Sequence, residues 1–171
     1  LTVTATAKDG DAPSASTSLP LVVHVGAVDD ASVLQADKIT VDEDHNATGN
    51  VLGNDSDVDN VLSVTSFNVT GVNGSFTAGQ TATISGVGTL IIASNGDYTF
   101  QPAADWNGNV PQVTYTTNTG SSSTLNISVT PVNDNFTDAS ETVTVNEDSV
   151  ATGSVLSGTS SVDGPVSVVN F

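Results

Sequence analysis

The sequence predicts an all-β chain built from tandem β-sandwich modules, and three observations carry that reading: a composition of strand and turn formers, an internal repeat, and short alternating segments. Val, Thr, Ser, Asn, Gly and Asp dominate the 171 residues, while Cys and Met are absent. β-Branched residues mixed with turn formers favour strands over helices. A hydrophobic fraction of 37% supplies thin sandwich cores even though aromatics make up only 5%, so the chain is expected to fold.

The repeat is the strongest signal. Val28 to Phe67 superposes on Val132 to Phe171 without a gap. Identical pairs include Glu43 with Glu147, Asp44 with Asp148, Ala47-Thr48-Gly49 with Ala151-Thr152-Gly153, Val51-Leu52 with Val155-Leu156, and Asp59 with Asp163. Thr4 to Gly10 resembles Thr114 to Gly120, and Leu21 to Val28 aligns with Leu125 to Val132, with extra residues in the first copy in the turn after Gly10. Hairpin turns tolerate such insertions. The expected layout is the C-terminal part of a first module (1–30), one complete module (31–134) and the N-terminal part of a third (135–171). The chain opens on LTVTATAKDG, which reads as the middle of a strand, so it is expected to be a piece of a longer array.

Within the complete module about seven strands are expected, at Lys38–Val41, Ser63–Phe67, Thr81–Ile84, Thr89–Ile92, Asp97–Phe100, Val113–Thr116 and Leu125–Val129. Turn signals separate them every ten residues or so, the spacing of a β-sandwich. Asn95-Gly96 reads as a type I′ hairpin turn, whose two central residues both need positive φ. Asn73-Gly74 and Asn107-Gly108 mark further turns. No segment sustains a 3.6-residue apolar period, so no helix longer than a single turn is expected.

Nineteen acidic residues against two basic ones, Lys8 and Lys38, give a formal charge of -17. That charge repels nucleic acid and anionic membranes, and no apolar run is long enough to span a bilayer. It also opposes compaction unless cations neutralise it. The absence of Cys removes disulfides, zinc thiolates and thiol nucleophiles from consideration.

The acids gather at particular places. One group is Asp29-Asp30 at the first module junction, echoed by Asn133-Asp134 at the second. Another is Asp42-Glu43-Asp44, repeated as Asn146-Glu147-Asp148. The third is a loop in which Asn54, Asp55, Asp57 and Asp59 place oxygens at nearly alternate positions. Calcium takes six to eight oxygen ligands, and acids two residues apart can turn several toward one point. The candidate calcium ligands are therefore Asp29, Asp30, Glu43, Asp44, Asn54, Asp55, Asp57, Asp59, Asn133, Asp134, Glu147 and Asp148. The plainer reading is that the acids only keep the protein soluble. In the third copy Gly158, Thr159 and Ser161 replace Asn54, Asp55 and Asp57, so its loop site is expected to be lost or weakened. The Glu147-Asp148 pair remains available to a linker.

Val132-Asn133-Asp134 at a boundary, Glu43-Asp44 after the preceding one, the stretch Val51 to Asp59, and Asn95 to Pro102 followed by Trp106-Asn107-Gly108 together resemble bacterial cadherin-like and VCBS-type repeats. These recur in large RTX adhesins exported by type I secretion. The resemblance spans the whole chain and implies immunoglobulin/cadherin-like sandwiches stacked end to end. It further implies a calcium-stiffened extender on a bacterial surface, holding a ligand-binding domain away from the cell. The implied partners are neighbouring repeats of the same chain, in an extracellular and monomeric protein. A ligand-binding adhesion module and an accessory module of an exported enzyme are the other classes.

Single residues offer little competing chemistry. Trp106 could stack on a sugar, but core or turn packing is expected. His24 aligns with Ser128 and His45 with Ser149, so neither belongs to a repeated feature. An enzyme would have to work with carboxylates alone, as glycosidases do, and no acid here is set in an apolar pocket by the sequence. Thr-rich strands could present a flat face to ice or another ordered surface, but strand propensity accounts for them.

Overall fold

A computed structural model describes residues 24–170 together with the strand pair Ala5–Thr6 and Ser16–Thr17. The chain divides into two compact units, Leu1–Asp30 and Ala31–Phe171. In the first, β1 (Ala5–Thr6) pairs antiparallel with β2 (Ser16–Thr17). Most of the hairpin expected there, and its insertion, lies outside the described residues.

The second unit holds a β-sandwich. Its strands are β3 (Asp37–Asp42), β4 (Ala47–Asn50), β5 (Val64–Val69), β6 (Phe76–Thr77), β7 (Thr81–Ile84), β8 (Gly88–Ile92), β9 (Asp97–Pro102), β10 (Gly108–Asn109), β11 (Val113–Thr117) and β12 (Ser122–Thr130). No helix occurs among the described residues. One sheet runs β10-β12-β11-β5-β6, with β3 also pairing β12, and the other runs β4-β9-β8-β7. All seven expected segments are strands. β4, β6 and β10 escaped the sequence reading because Ala47–Asn50 has no apolar alternation and the other two are only two residues long. Their pairing with β9, β5 and β12 makes them strands.

Alternation along the strands builds the core. β9 buries Tyr98 and Phe100, β11 buries Val113, Tyr115 and Thr117, and β12 buries Leu125, Ile127 and Val129. Phe67 stacks on Phe76 at 5.4 Å between ring centroids. Each large apolar side chain removed from water contributes about 1.5–3 kcal/mol, so few aromatics suffice. The Trp106 ring meets Phe100 edge to face at 6.4 Å, the packing role expected of it.

The Asn95-Gly96 turn is not type I′. Gly96 has φ 89° but Asn95 is not in the positive-φ region. Gly96 N donates to Ala93 O and Ala93 N to Asp97 O, which describes a type I turn closed by a left-handed glycine. A Cβ at Gly96 would lie 2.6 Å from Asn50 Oδ1 and 2.8 Å from Leu52 Cγ. Both conformation and space therefore require glycine.

Residues 132–170 contain no strand, only the bridge between Thr137 and Ser160. That bridge repeats the one between Val33 and Ser56. Further contacts recur at the same offset. Asp55 N donates to Leu52 O as Thr159 N does to Leu156 O, and His45 N to Asp42 O as Ser149 N does to Asn146 O. The sequence repeat is thus also a repeat of backbone geometry.

β11 and β3 carry a polar group into the core margin. The Tyr115 hydroxyl donates to Asp55 Oδ2 at 2.7 Å and also lies 2.9 Å from Val51 O. Burial pushes the hydroxyl pKa up, and its bond to Asp55 adds to the shift. Tyr115→Phe removes a hydrogen bond to a charged group and is expected to cost about 1.5–3 kcal/mol in urea unfolding. Nearby, Asp37 Oδ2 is buried with no hydrogen-bond partner. Burial first, then repulsion from Asp55, raises the Asp37 pKa from 3.8 to about 6, with the neighbouring Tyr115 and Asn54 side chains opposing the shift. The folded state therefore holds this proton more tightly than the unfolded one. Its contribution to stability is full below 3.8 and is lost as pH rises through about 6. Urea midpoints taken with chelator between about pH 4 and pH 7 should show this loss, and Asp37→Asn should flatten it.

Candidate metal centre

The end of β3 and the turn before β10 build the site. Glu43 follows β3 directly and is 2% exposed. Its Oε1 accepts Val132 N at 2.6 Å and its Oε2 accepts Asn107 Nδ2 at 3.1 Å, while its own backbone N donates to Thr130 O. The next residue, Asp44, takes φ 61°, and Asp105 takes φ 57°. Left-handed backbone in non-glycine residues is costly and Asp is among those that tolerate it. The two are joined by a hydrogen bond from Asp105 N to Asp44 Oδ1 at 3.1 Å.

Beyond β12, Asp134 N donates to Asp163 Oδ2 at 2.6 Å. Asp134 then stands in two groups of carboxylates, Glu43 with Asp163 and Asp44 with Asp105, each with oxygens within 4.8 Å of one another. Asp134 Oδ2 is buried and accepts no hydrogen bond. Its pKa is raised, first by burial and then by Asp163, Asp105, Asp44 and Glu43 in that order. Every member of both groups is acidic. An open cleft of about 500 Å³ beside it is lined by Asn107, Val132, Asn133 and Asp163 among others.

This arrangement fits a hard divalent cation. Two groups of three carboxylates share Asp134 and offer oxygen ligands only, one Asp134 oxygen is orphaned and buried, and acid stands against acid. Glu43 with Asp163, or Asp44 with Asp105, would hold such an ion together with the shared Asp134. Calcium accepts variable numbers of carboxylate oxygens, whereas magnesium requires near-octahedral geometry and retains water.

Of the sequence candidates, the structure brings together Glu43, Asp44 and Asp134. Asn133 is exposed and donates to Asp134 O at 3.3 Å. Glu147 and Asp148 are exposed and join no three-acid group among the described residues, although Asp148 repeats the left-handed φ of Asp44 at 62°. Asp29 and Asp30 are exposed and belong to the first unit.

Of the loop residues Asn54, Asp55, Asp57 and Asp59, none of the three acids joins a three-acid group among the described residues. Asp55 is engaged by Gln35 N and the Tyr115 hydroxyl. Asp57 accepts from Ser32, from Asp59 N and from Asn60 N, which hold its carboxyl below the usual range. In the third copy Ser161 Oγ accepts Asp163 N just as Asp57 Oδ1 accepts Asp59 N. The loop oxygens thus shape a turn, which serine shapes as well. What the turn presents in the third copy is Asp163.

Asp105 and Asp163 were missed. Asp163 carried a signal, being the one loop acid kept in both copies. Asp105 precedes the Trp106-Asn107-Gly108 turn and has no counterpart within the repeat, so no spacing marked it.

The family model for the bacterial cadherin-like domain matches residues 29–131. No curated protein matches the chain.

Without a cation the Asp134 charge is unfavourable. Asp134→Asn should raise the melting temperature in chelator, through relief of repulsion, and should shrink the gain on adding calcium. A calcium gain equal to that of the wild type would remove Asp134 from the site.

Proposed function

The chain belongs to the bacterial cadherin-like domain family, and from that premise we propose that it is a calcium-rigidified extender of a bacterial cell-surface adhesin, of the RTX type with VCBS-like repeats. Cadherin-like domains are structural and adhesion modules that generally bind Ca2+. No helix among the described residues is long and apolar enough to cross a membrane. The observation that carries the proposal is the orphaned, buried Asp134 oxygen between two groups of acids.

The acids come from three places along the chain. Glu43, Asp44 and Asp105 are fixed by the sandwich, Asp134 lies just past β12, and Asp163 belongs to the following copy of the repeat. Calcium supplies the positive charge that offsets their mutual repulsion. With that repulsion offset, Asp134 and Asp163 are held against Glu43 and Asp44, and the segment leaving the sandwich loses freedom to swing. Without it, the same acids push the segment away. The repeat places Asp30 and Asp59 at the positions of Asp134 and Asp163. Affinities of about 0.1–1 mM, usual for extracellular modules, suffice outside the cell and leave the chain loose in a low-calcium cytosol. That looseness suits type I export.

Calcium titration with thermal melting and small-angle scattering tests both parts. At a calcium concentration 100 times the dissociation constant, one site adds about 2.7 kcal/mol, and the scattering envelope should narrow and lengthen. A melting temperature and envelope that ignore calcium would sink the proposal.

A further inference from the structure

An asparagine followed by glycine is prone to lose its side-chain amide. Glycine has no Cβ to hinder its own nitrogen, so that nitrogen can reach the carbonyl carbon of the preceding side chain. The chain has Asn-Gly at Asn73-Gly74, Asn95-Gly96 and Asn107-Gly108, and the fold treats the three differently.

Two of them are held. Asn95 Nδ2 donates to Asp97 Oδ2 at 2.7 Å, and Asn95 Oδ1 accepts Asp97 N at 3.2 Å. The nitrogen that would attack, Gly96 N, donates to Ala93 O at 3.0 Å, and Gly96 is buried. Asn107 Nδ2 donates to Glu43 Oε2 at 3.1 Å, and Gly108 opens β10 in register with Val129.

Asn73-Gly74 is left open. The pair lies in the turn between β5 and β6, and both residues are exposed. Neither the Asn73 side chain nor the Gly74 N–H makes a hydrogen bond among the described residues. Gly74 takes φ 96°, with nothing within 4 Å of where a Cβ would stand. The main chain can therefore turn at this point without moving packed groups.

We propose that Asn73 is a site of spontaneous deamidation, selected by the fold over Asn95 and Asn107. Gly74 N gives up its proton and bonds to Asn73 Cγ, the Cγ–Nδ2 bond breaks, and ammonia leaves a five-membered imide. Water then opens the ring. Attack at Cγ restores the main chain and leaves aspartate, whereas attack at the Asn73 main-chain carbonyl reroutes the chain through Cγ and leaves isoaspartate. One water is retained and one ammonia lost, with no oxidant or reductant. Either product brings a charge into the stretch between Asp59 and Asp97, which has none. Isoaspartate also lengthens the main chain just ahead of Phe76, whose ring stacks on Phe67.

Ageing the full chain in calcium-containing buffer at mildly alkaline pH, with peptide mass spectrometry and isoaspartate detection over time, gives the test. Asn73 should convert about tenfold faster than Asn95 or Asn107, because those two must first give up hydrogen bonds worth about that factor in rate. In urea the three rates should converge, since only local sequence then separates them. Gly74→Ala should slow Asn73 and leave the other two unchanged. An Asn73 that stays an amide, or converts no faster than the others in the folded chain, overturns the proposal. So does a lead that persists undiminished in urea, because local sequence rather than the fold would then select the site.

Discussion

Glu43 is the point at which the sandwich and the segment leaving it are fastened together. Its carboxylate is almost wholly buried, yet each oxygen has a donor, one from the backbone just after β12 and one from Asn107. A buried carboxylate without such donors would be strongly destabilising. The two donors dictate where Val132 and the turn before β10 must lie, and hence where Asp134 and Asp105 sit. The acid cluster is a consequence of satisfying one buried group. Asn107 can reach Glu43 because its neighbour Trp106 is anchored on Phe100, so core packing and site geometry are one problem.

Much of the fold was legible because its signals are periodic. Alternation located seven of the strands, and the repeat located the junction acids. Turn identity was less accessible. Asn95-Gly96 could have closed a hairpin in two ways, and the crowding of Gly96 by Asn50 and Leu52, distant in sequence, belongs to the one observed. The loop from Asn54 to Asp59 was over-read for a related reason. Alternating acids state how many oxygens are available but not which are already occupied, and Tyr115, sixty residues away from Asp55, engages one of them. Asp105 was invisible because a lone acid acquires meaning only from what the fold places beside it.

The two copies of the repeat separate the two uses of an oxygen in this chain. Where serine or threonine can replace aspartate and keep the same backbone bond, as Ser161 does for Asp57, the acid served geometry. Where the carboxylate itself is retained, as at Asp59 and Asp163, its charge is the feature kept. Formal charge alone therefore overstates the number of ion ligands.

The parallel pairing of β3 with β12 has a mechanical consequence. Six residue pairs align from Asp37 with Leu125 to Asp42 with Thr130, so the chain enters the module at the start of one strand and leaves at the end of its parallel neighbour. A pull on the two ends drives these strands past each other lengthwise, and their hydrogen bonds share the load together instead of opening one by one like a zip. The module is thereby wired to resist tension along the direction in which an extended array would be stretched.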